Sequence, residues 1–306
     1  MSSTPIEKKN AFWFHIGALL TVTAWGVSFI STKVLQSPGN QLTPTEVYIL
    51  RFILAYLLVL AICHKRLWSN SLRDELLFAT CGLCGGSIYF IAENTAIEYT
   101  LVSNVSLLTS VSPLLTAMLV GIIYKDERPS KGIILGSAIA FLGVACVIFN
   151  SSFNVNIRPL GDMLALSASF GWAIYSIVLR KLNALYSVWF ISRKTFFYGI
   201  LTAIPFLFIQ PGAFNINVLA KPEVWVNLLF LGTVCSMVAY VIWAQTVKRL
   251  GAVKASNYMY FVPIVTLIAS QLLLNEKITW VGYLGCALIL GGVWLGDLMS
   301  RARKKN

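Results

Sequence analysis

The chain is 306 residues long, 57% hydrophobic and 12% charged, with a mean hydropathy of +0.75 and a net charge of +12. So apolar a composition excludes a soluble globular surface, and ten crossings of about 20 residues each would take up roughly 200 residues and leave no length for a soluble domain. The basic residues stand between apolar runs, which excludes nucleic acid as a partner and assigns the charge to helix orientation in a membrane.

Apolar runs bounded by charged or turn residues predict ten spans, at residues 12–34, 46–64, 75–98, 101–124, 131–150, 160–180, 189–210, 224–247, 253–274 and 279–299. The first run follows Lys8 and Lys9, but its length and the lack of a small-residue cleavage site predict a retained span, not a signal peptide. With the N-terminus inside, 17 Lys and Arg fall on the inner side and three, Arg158, Lys221 and Lys277, on the outer. Lys33, Arg51, Arg193 and Lys194 lie within spans. That asymmetry predicts both termini in the cytoplasm, and Trp13, Trp68, Trp189, Trp225 and Trp280 near run ends fit an interfacial belt.

Polar side chains inside spans mark helix contacts or cavities. They concentrate in spans 1, 3, 4, 6, 8 and 9, whereas spans 5 and 10 are almost wholly apolar or Gly. The plain reading of any one Ser or Thr is a bond to its own backbone or to a neighbouring helix. Their clustering with aromatics predicts a cavity lined by Trp25, Ser28, Glu93, Asn104, Ser110, Trp172, Tyr175, Tyr240, Trp243 and Tyr258. Aromatic walls with scattered hydroxyls suit an amphipathic small molecule. Glu93 stands well inside span 3, with Arg51 at a similar depth and Lys33 slightly higher. Two readings stand: an ion pair with Arg51, or a site for a substrate ammonium or a proton.

The six cysteines lie in apolar stretches and read as packing residues; Cys81 and Cys84 have no second pair or nearby His to complete a metal site. No cofactor is expected. Gly82 with Gly86, Gly132 with Gly136 and Gly292 with Gly296 read as helix-packing pairs, with homodimerisation through spans 5 and 10 as the sharper alternative.

The two halves echo each other. Pro113 pairs with Pro263 and Thr116 with Thr266 at an offset of 150; Glu127 with Glu276, Gly136 with Gly285 and Gly143 with Gly292 at 149; Trp25 with Trp172 and Lys33 with Arg180 at 147. The units are residues 1–150 and 151–306. Five spans per unit is an odd number, so the second unit enters the membrane from the opposite side, and an inverted repeat around a mid-membrane site is a frequent transporter layout.

TAWGVSF in span 1, NTAIEYTLVSNVSLLTSVSP across spans 3 and 4, and the two Pro-to-Glu blocks resemble the drug/metabolite transporter superfamily, EamA-type branch. The resemblance covers about residues 12–299. It departs at Asp126 beside Glu127, which leaves open which acid matches Glu276. It implies an all-α membrane protein of ten helices, with spans 5 and 10 away from the pathway. The function expected is a secondary transporter of the inner membrane, embedded in lipid, that exports amino acids or related small amphipathic metabolites. Sugar-phosphate or nucleotide-sugar exchange is the alternative; it requires a cationic clamp, and the cations within spans are read as too near the span ends. No G-x-x-x-x-G-K-[ST] is present, so ATP is not the direct drive. An intramembrane enzyme or a non-transporting scaffold are the readings of a different class; for the former, only His15 and His64 are available as catalytic bases, both near span ends.

Overall fold

The computed structural model describes residues 5–40, 42–99, 105, 108–124, 129–148, 159–209, 216–274 and 279–303, and among them the regular structure is entirely helical. The first half contains α1 (Pro5–Leu35), α2 (Pro44–Ile62), α3 (Leu72–Gly82), α4 (Tyr89–Tyr99), α5 (Ser112–Ile123) and α6 (Lys131–Ile148). The second contains α7 (Pro159–Asn183), α8 (Val188–Ile209), α9 (Pro222–Leu229), α10 (Ala239–Leu250), α11 (Ala252–Ser256), α12 (Val262–Leu274) and α13 (Trp280–Arg303). Six stretches among the described residues are long and apolar enough to cross a membrane: Phe12–Leu35, Pro44–Ile62, Leu72–Tyr99, Pro159–Asn183, Pro222–Leu250 and Ala252–Ala269. Ser112–Ile123, Lys131–Val147 and Trp280–Gly296 are shorter apolar helices. A helix must satisfy its own backbone in lipid, and this composition makes the chain a multi-pass membrane protein.

Local chemistry sets the helix starts. Thr43 caps α2 in a reciprocal box: its backbone N–H donates to Glu46 Oε2 at 2.7 Å, and the Glu46 N–H donates to Thr43 Oγ1 at 3.3 Å. With Pro44 in the first turn, α2 starts two residues before the expected 46. Ser71 caps α3 through the Asp74 N–H at 3.2 Å, which brings Glu75 inside the first turn. Gly251, at φ +85°, makes the corner between α10 and α11 that a residue with a Cβ would resist.

Two expected spans are interrupted. The span expected at 253–274 is divided into α11, a 3₁₀ turn at Asn257–Phe261 and α12, and helix α5 follows a turn at Ser110–Val111. Pro113 and Pro263 sit in the first turns of α5 and α12, where a missing N–H costs nothing. Two π-helical segments join α3 to α4 (Leu83–Ile88) and α9 to α10 (Phe230–Val238). Their first residues are 147 apart and their last 150, within the offsets found between the halves.

Helices α6 and α13 meet backbone to backbone. A Cβ on Gly136 would lie 2.4 Å from the Gly292 carbonyl oxygen, and one on Gly143 2.6 Å from that of Gly285. Any side chain there would force the helices apart, so these glycines are committed to a contact within one chain. The main core gathers the other helices around aromatics: Trp25, Phe52, Trp172, Tyr175, Phe196, Tyr240 and Trp243 are all buried. Trp13, Trp68, Trp225 and Trp280 are exposed and Trp189 is half-buried.

Candidate functional site

A cavity of about 40 Å³ lies inside the bundle, between α1, α2, α4, α7, the residues just before α5, the 3₁₀ turn and the start of α12. One water needs roughly 10–15 Å³, so the space holds a few waters and must widen before it admits a larger molecule. Trp25, Arg51, Glu93, Ser110 and Trp172 line it, with Ser28, Thr32, Tyr89, Phe90 and Asn94 beside them. A second hollow, about 600 Å³, is larger; Thr43, Ser87, Thr95, Glu98 and Tyr99 line it beside Ile88, Ile91, Leu164, Phe206 and Ile209, but among the described residues it holds no basic side chain and neither of the paired tryptophans. Polar groups of both charges converging on an aromatic floor make the smaller cavity the candidate site.

Trp25 and Trp172 meet edge to face on its floor, ring centroids 5.2 Å apart and planes at 88°, a favoured aromatic geometry. Trp25 Nε1 donates to the Cys235 carbonyl at 2.9 Å, which ties α1 to the second π segment. Trp243 packs 5.1 Å from Trp25, and Tyr240 donates to the Gly85 carbonyl at 2.5 Å in the first π segment. The Gly85 backbone also lies against the Tyr175 ring, where a Cβ would meet it at 2.5 Å.

Two charged side chains face this floor without pairing. The Tyr89 hydroxyl donates to Glu93 Oε1 at 3.0 Å. Arg51 Nε donates to Ser236 Oγ at 2.8 Å, its guanidinium lies 4.6 Å from the Phe90 ring centre, and its Nη2 has no hydrogen-bond partner among the described residues. The two are not within ion-pair distance of each other. Arg51 lies seven residues from Pro44 and Glu93 six from Tyr99, each about 10 Å along its helix. The earlier start of α2 thus puts Arg51 deeper than its expected place near a span end. Lys33 is exposed and does not line the cavity.

Of the residues expected on the cavity wall, the structure brings together Trp25, Ser28, Glu93, Ser110 and Trp172. Tyr175, Tyr240 and Trp243 are a correction. They are fully buried behind Trp172, because polarity within a span that is apolar all round does not reveal which face is turned inward. Tyr258 is also displaced: it is half-buried near the start of α1, hydrogen-bonded to His15, because the break at 257–261 separates it from α12. Asn104 lies outside the described residues. Arg51, Tyr89, Phe90 and Asn94 were missing from the expected wall. Stepping one helical turn from Glu93 finds two of these, Tyr89 and Phe90, and also Ile97, a further lining residue. Several hydroxyls do follow the plain reading: Ser112 donates to the Thr109 carbonyl at 2.7 Å, Thr116 to Ser112 at 2.8 Å and Ser176 to Trp172 at 2.9 Å.

Towards the end of the bundle where α1 begins, the connection 63–71 is fastened to α8. Lys194 Nζ lies 2.8 and 3.1 Å from the two Glu75 oxygens. Glu75 also accepts from the Tyr198 hydroxyl at 2.6 Å and from the Ser69 N–H at 2.9 Å. Arg193 donates to the carbonyls of Cys63 and Arg66. Tyr186 donates to Asp74 at 2.7 Å and accepts from the Asn70 N–H at 2.7 Å.

The sequence profile of the EamA-like transporter family matches residues 12–149 and again 159–296. The chain belongs to this family. An uncharacterized transporter of Archaeoglobus fulgidus is 29% identical to this EamA-like protein over 92% of this chain and 96% of its own. A relative from Escherichia coli named "Probable amino-acid metabolite efflux pump" is 27% identical over 94% and 95% of the two chains. One solved crystal structure, 17% identical, superposes with a TM-score of 0.75 over 96% of this chain and 98% of that one, which shows the shared fold. The family assignment makes the protein a transporter of the drug/metabolite type and sets the enzyme reading aside.

Proposed function

We propose that this protein is a secondary transporter of the inner membrane that exports amino acids or related small amphipathic metabolites through the central cavity by alternating access. Ten spans form two inverted five-helix repeats, residues 1–150 and 151–306, with both termini in the cytoplasm. The observation that carries this reading is the Trp25–Trp172 contact: residues at equivalent places in the two halves meet on the cavity floor. Two elements related by a pseudo-two-fold axis touch through equivalent residues only near that axis, and transporters of inverted-repeat design bind substrate there. The paired π segments, the double family match and the name of the Escherichia coli relative support it.

Alternating access then has a structural meaning in this chain. At the same offset of 147, Ser28 corresponds to Tyr175 and Glu93 to Tyr240. Exchanging the conformations of the two repeats closes the present cavity and brings Tyr175 and Tyr240 onto the wall of one opening at the other end. The test is counterflow of labelled amino acids in proteoliposomes, with wild type and Trp172→Phe. Saturable exchange that Trp172→Phe reduces at least tenfold supports the reading. Absence of exchange for every amino acid, with sugar phosphates exchanged instead, moves the protein to the other branch of substrates.

A further inference from the structure

Arg51 is 3% exposed, and a guanidinium does not lose its proton in a protein. Its Nε is held by Ser236 and its face by Phe90, so its orientation is set, yet among the described residues Nη2 lacks a partner and no carboxylate pairs with it. An ion removed from water needs a counter-charge with good hydrogen-bond geometry. The carboxylate in the same cavity, Glu93, has taken the Tyr89 hydroxyl and stands beyond ion-pair distance. A cation and an anion fixed on neighbouring walls with a gap between them form a receptor for a molecule that carries both charges.

We propose that Arg51 receives the carboxylate of the transported molecule, with Glu93 receiving its ammonium, so that the cavity selects zwitterionic α-amino acids over amines or acids of the same shape. This rests on the transport reading above and goes further by naming the group that decides specificity. An α-amino acid holds its two charges one carbon apart and bridges the gap that Arg51 and Glu93 cannot close. The fork of Arg51 suits a planar carboxylate bidentately. Trp25, Tyr89, Phe90 and Trp172 provide the surface for an apolar side chain. A phosphate dianion fits less well, since Glu93 repels it and one guanidinium is its sole cation among the described wall residues.

The experiment uses the purified full-length protein and three probes with one phenyl body: L-phenylalanine, phenethylamine and 3-phenylpropionate. Binding is read as ligand-induced thermal stabilisation for wild type, Arg51→Gln, Arg51→Lys and Glu93→Gln. Wild type is expected to bind phenylalanine at least tenfold more tightly than either half-probe. Arg51→Gln loses at least tenfold for phenylalanine and keeps phenethylamine, Glu93→Gln keeps 3-phenylpropionate, and Arg51→Lys falls between wild type and Arg51→Gln. Retained phenethylamine binding reports that Arg51→Gln is folded; if it does not fold, the outcome rests on Arg51→Lys and on the wild-type ranking of the probes. Phenylalanine binding unchanged in Arg51→Gln overturns the assignment and leaves the transport reading standing. Wild-type stabilisation by none of the three, or by glucose 6-phosphate through Arg51 instead, overturns the amino-acid reading and the assignment with it.

Discussion

Two pairs of charges divide the molecule. Near the end where α1 begins, Lys194 and Glu75 lie 2.8 Å apart with Tyr198 and the Ser69 N–H completing the carboxylate's partners. In the central cavity, Arg51 and Glu93 are buried more deeply than Glu75, which is half-buried, and remain unpaired with each other. The difference teaches that a buried charge in a membrane protein is read by its partners, not by its depth. The satisfied pair fastens α3, and with it the 63–71 connection, to α8; the unsatisfied pair leaves its interaction energy for a ligand.

The comparison is broken most forcefully where the two regions meet. Tyr240 is fully buried beneath the cavity, and Tyr240→Ala should cost about 3–5 kcal/mol, read as a lowered melting temperature in detergent; an unchanged melt would mean the ring is not packed as described. Next, Glu75→Gln weakens the hold on Lys194 and should cost about 1–3 kcal/mol, less than for a fully buried pair because Glu75 is half-buried, with part of the loss recovered in the Glu75→Gln/Lys194→Met double variant. Coupling in a double-mutant cycle should exceed 1 kcal/mol for Glu75 with Lys194 and fall below about 0.5 kcal/mol for Arg51 with Glu93. Equal coupling of the two pairs would erase the distinction between them. Arg51→Gln should melt within about 1 kcal/mol of wild type without ligand, since removing an unpaired buried charge relieves its desolvation. The smallest effect is Trp25→Phe, about 1 kcal/mol for the lost bond to the Cys235 carbonyl, visible as a small shift of the melt.

Much of the helical layout was legible because apolar runs of spanning length leave few alternatives. The Trp25–Trp172 meeting was also accessible through the offset of 147, and the Pro113 and Pro263 positions through the aligned halves. What could not be read was facing and breakage. Tyr175, Tyr240 and Trp243 carry polar atoms in apolar helices, which marks them as inward but does not tell a cavity wall from the packing behind it. Tyr258 followed a helix that the 3₁₀ turn interrupts. The Glu75 cluster was hidden by a boundary placed at 75, although Ser71 followed by Asp74 and Glu75 is a capping pattern. Arg51 was misjudged for a similar reason: Thr43-Pro44-Thr45-Glu46 is the capping box that begins α2 earlier and sinks Arg51 deeper.

The bare contact of Gly136 with Gly292 and Gly143 with Gly285 also sets an order for biogenesis. Gly136 is made about 150 residues before its partner, so at 5–20 residues per second α6 waits roughly 8–30 s for α13 to emerge. During that interval its glycine face has only lipid against it, and packing into that groove provides the association that lipid cannot. Helix α13 is therefore the one that covers the glycine face of the first half, and a chain truncated before residue 280 should be recognised by quality control as unfinished even though every described cavity residue has already been synthesised.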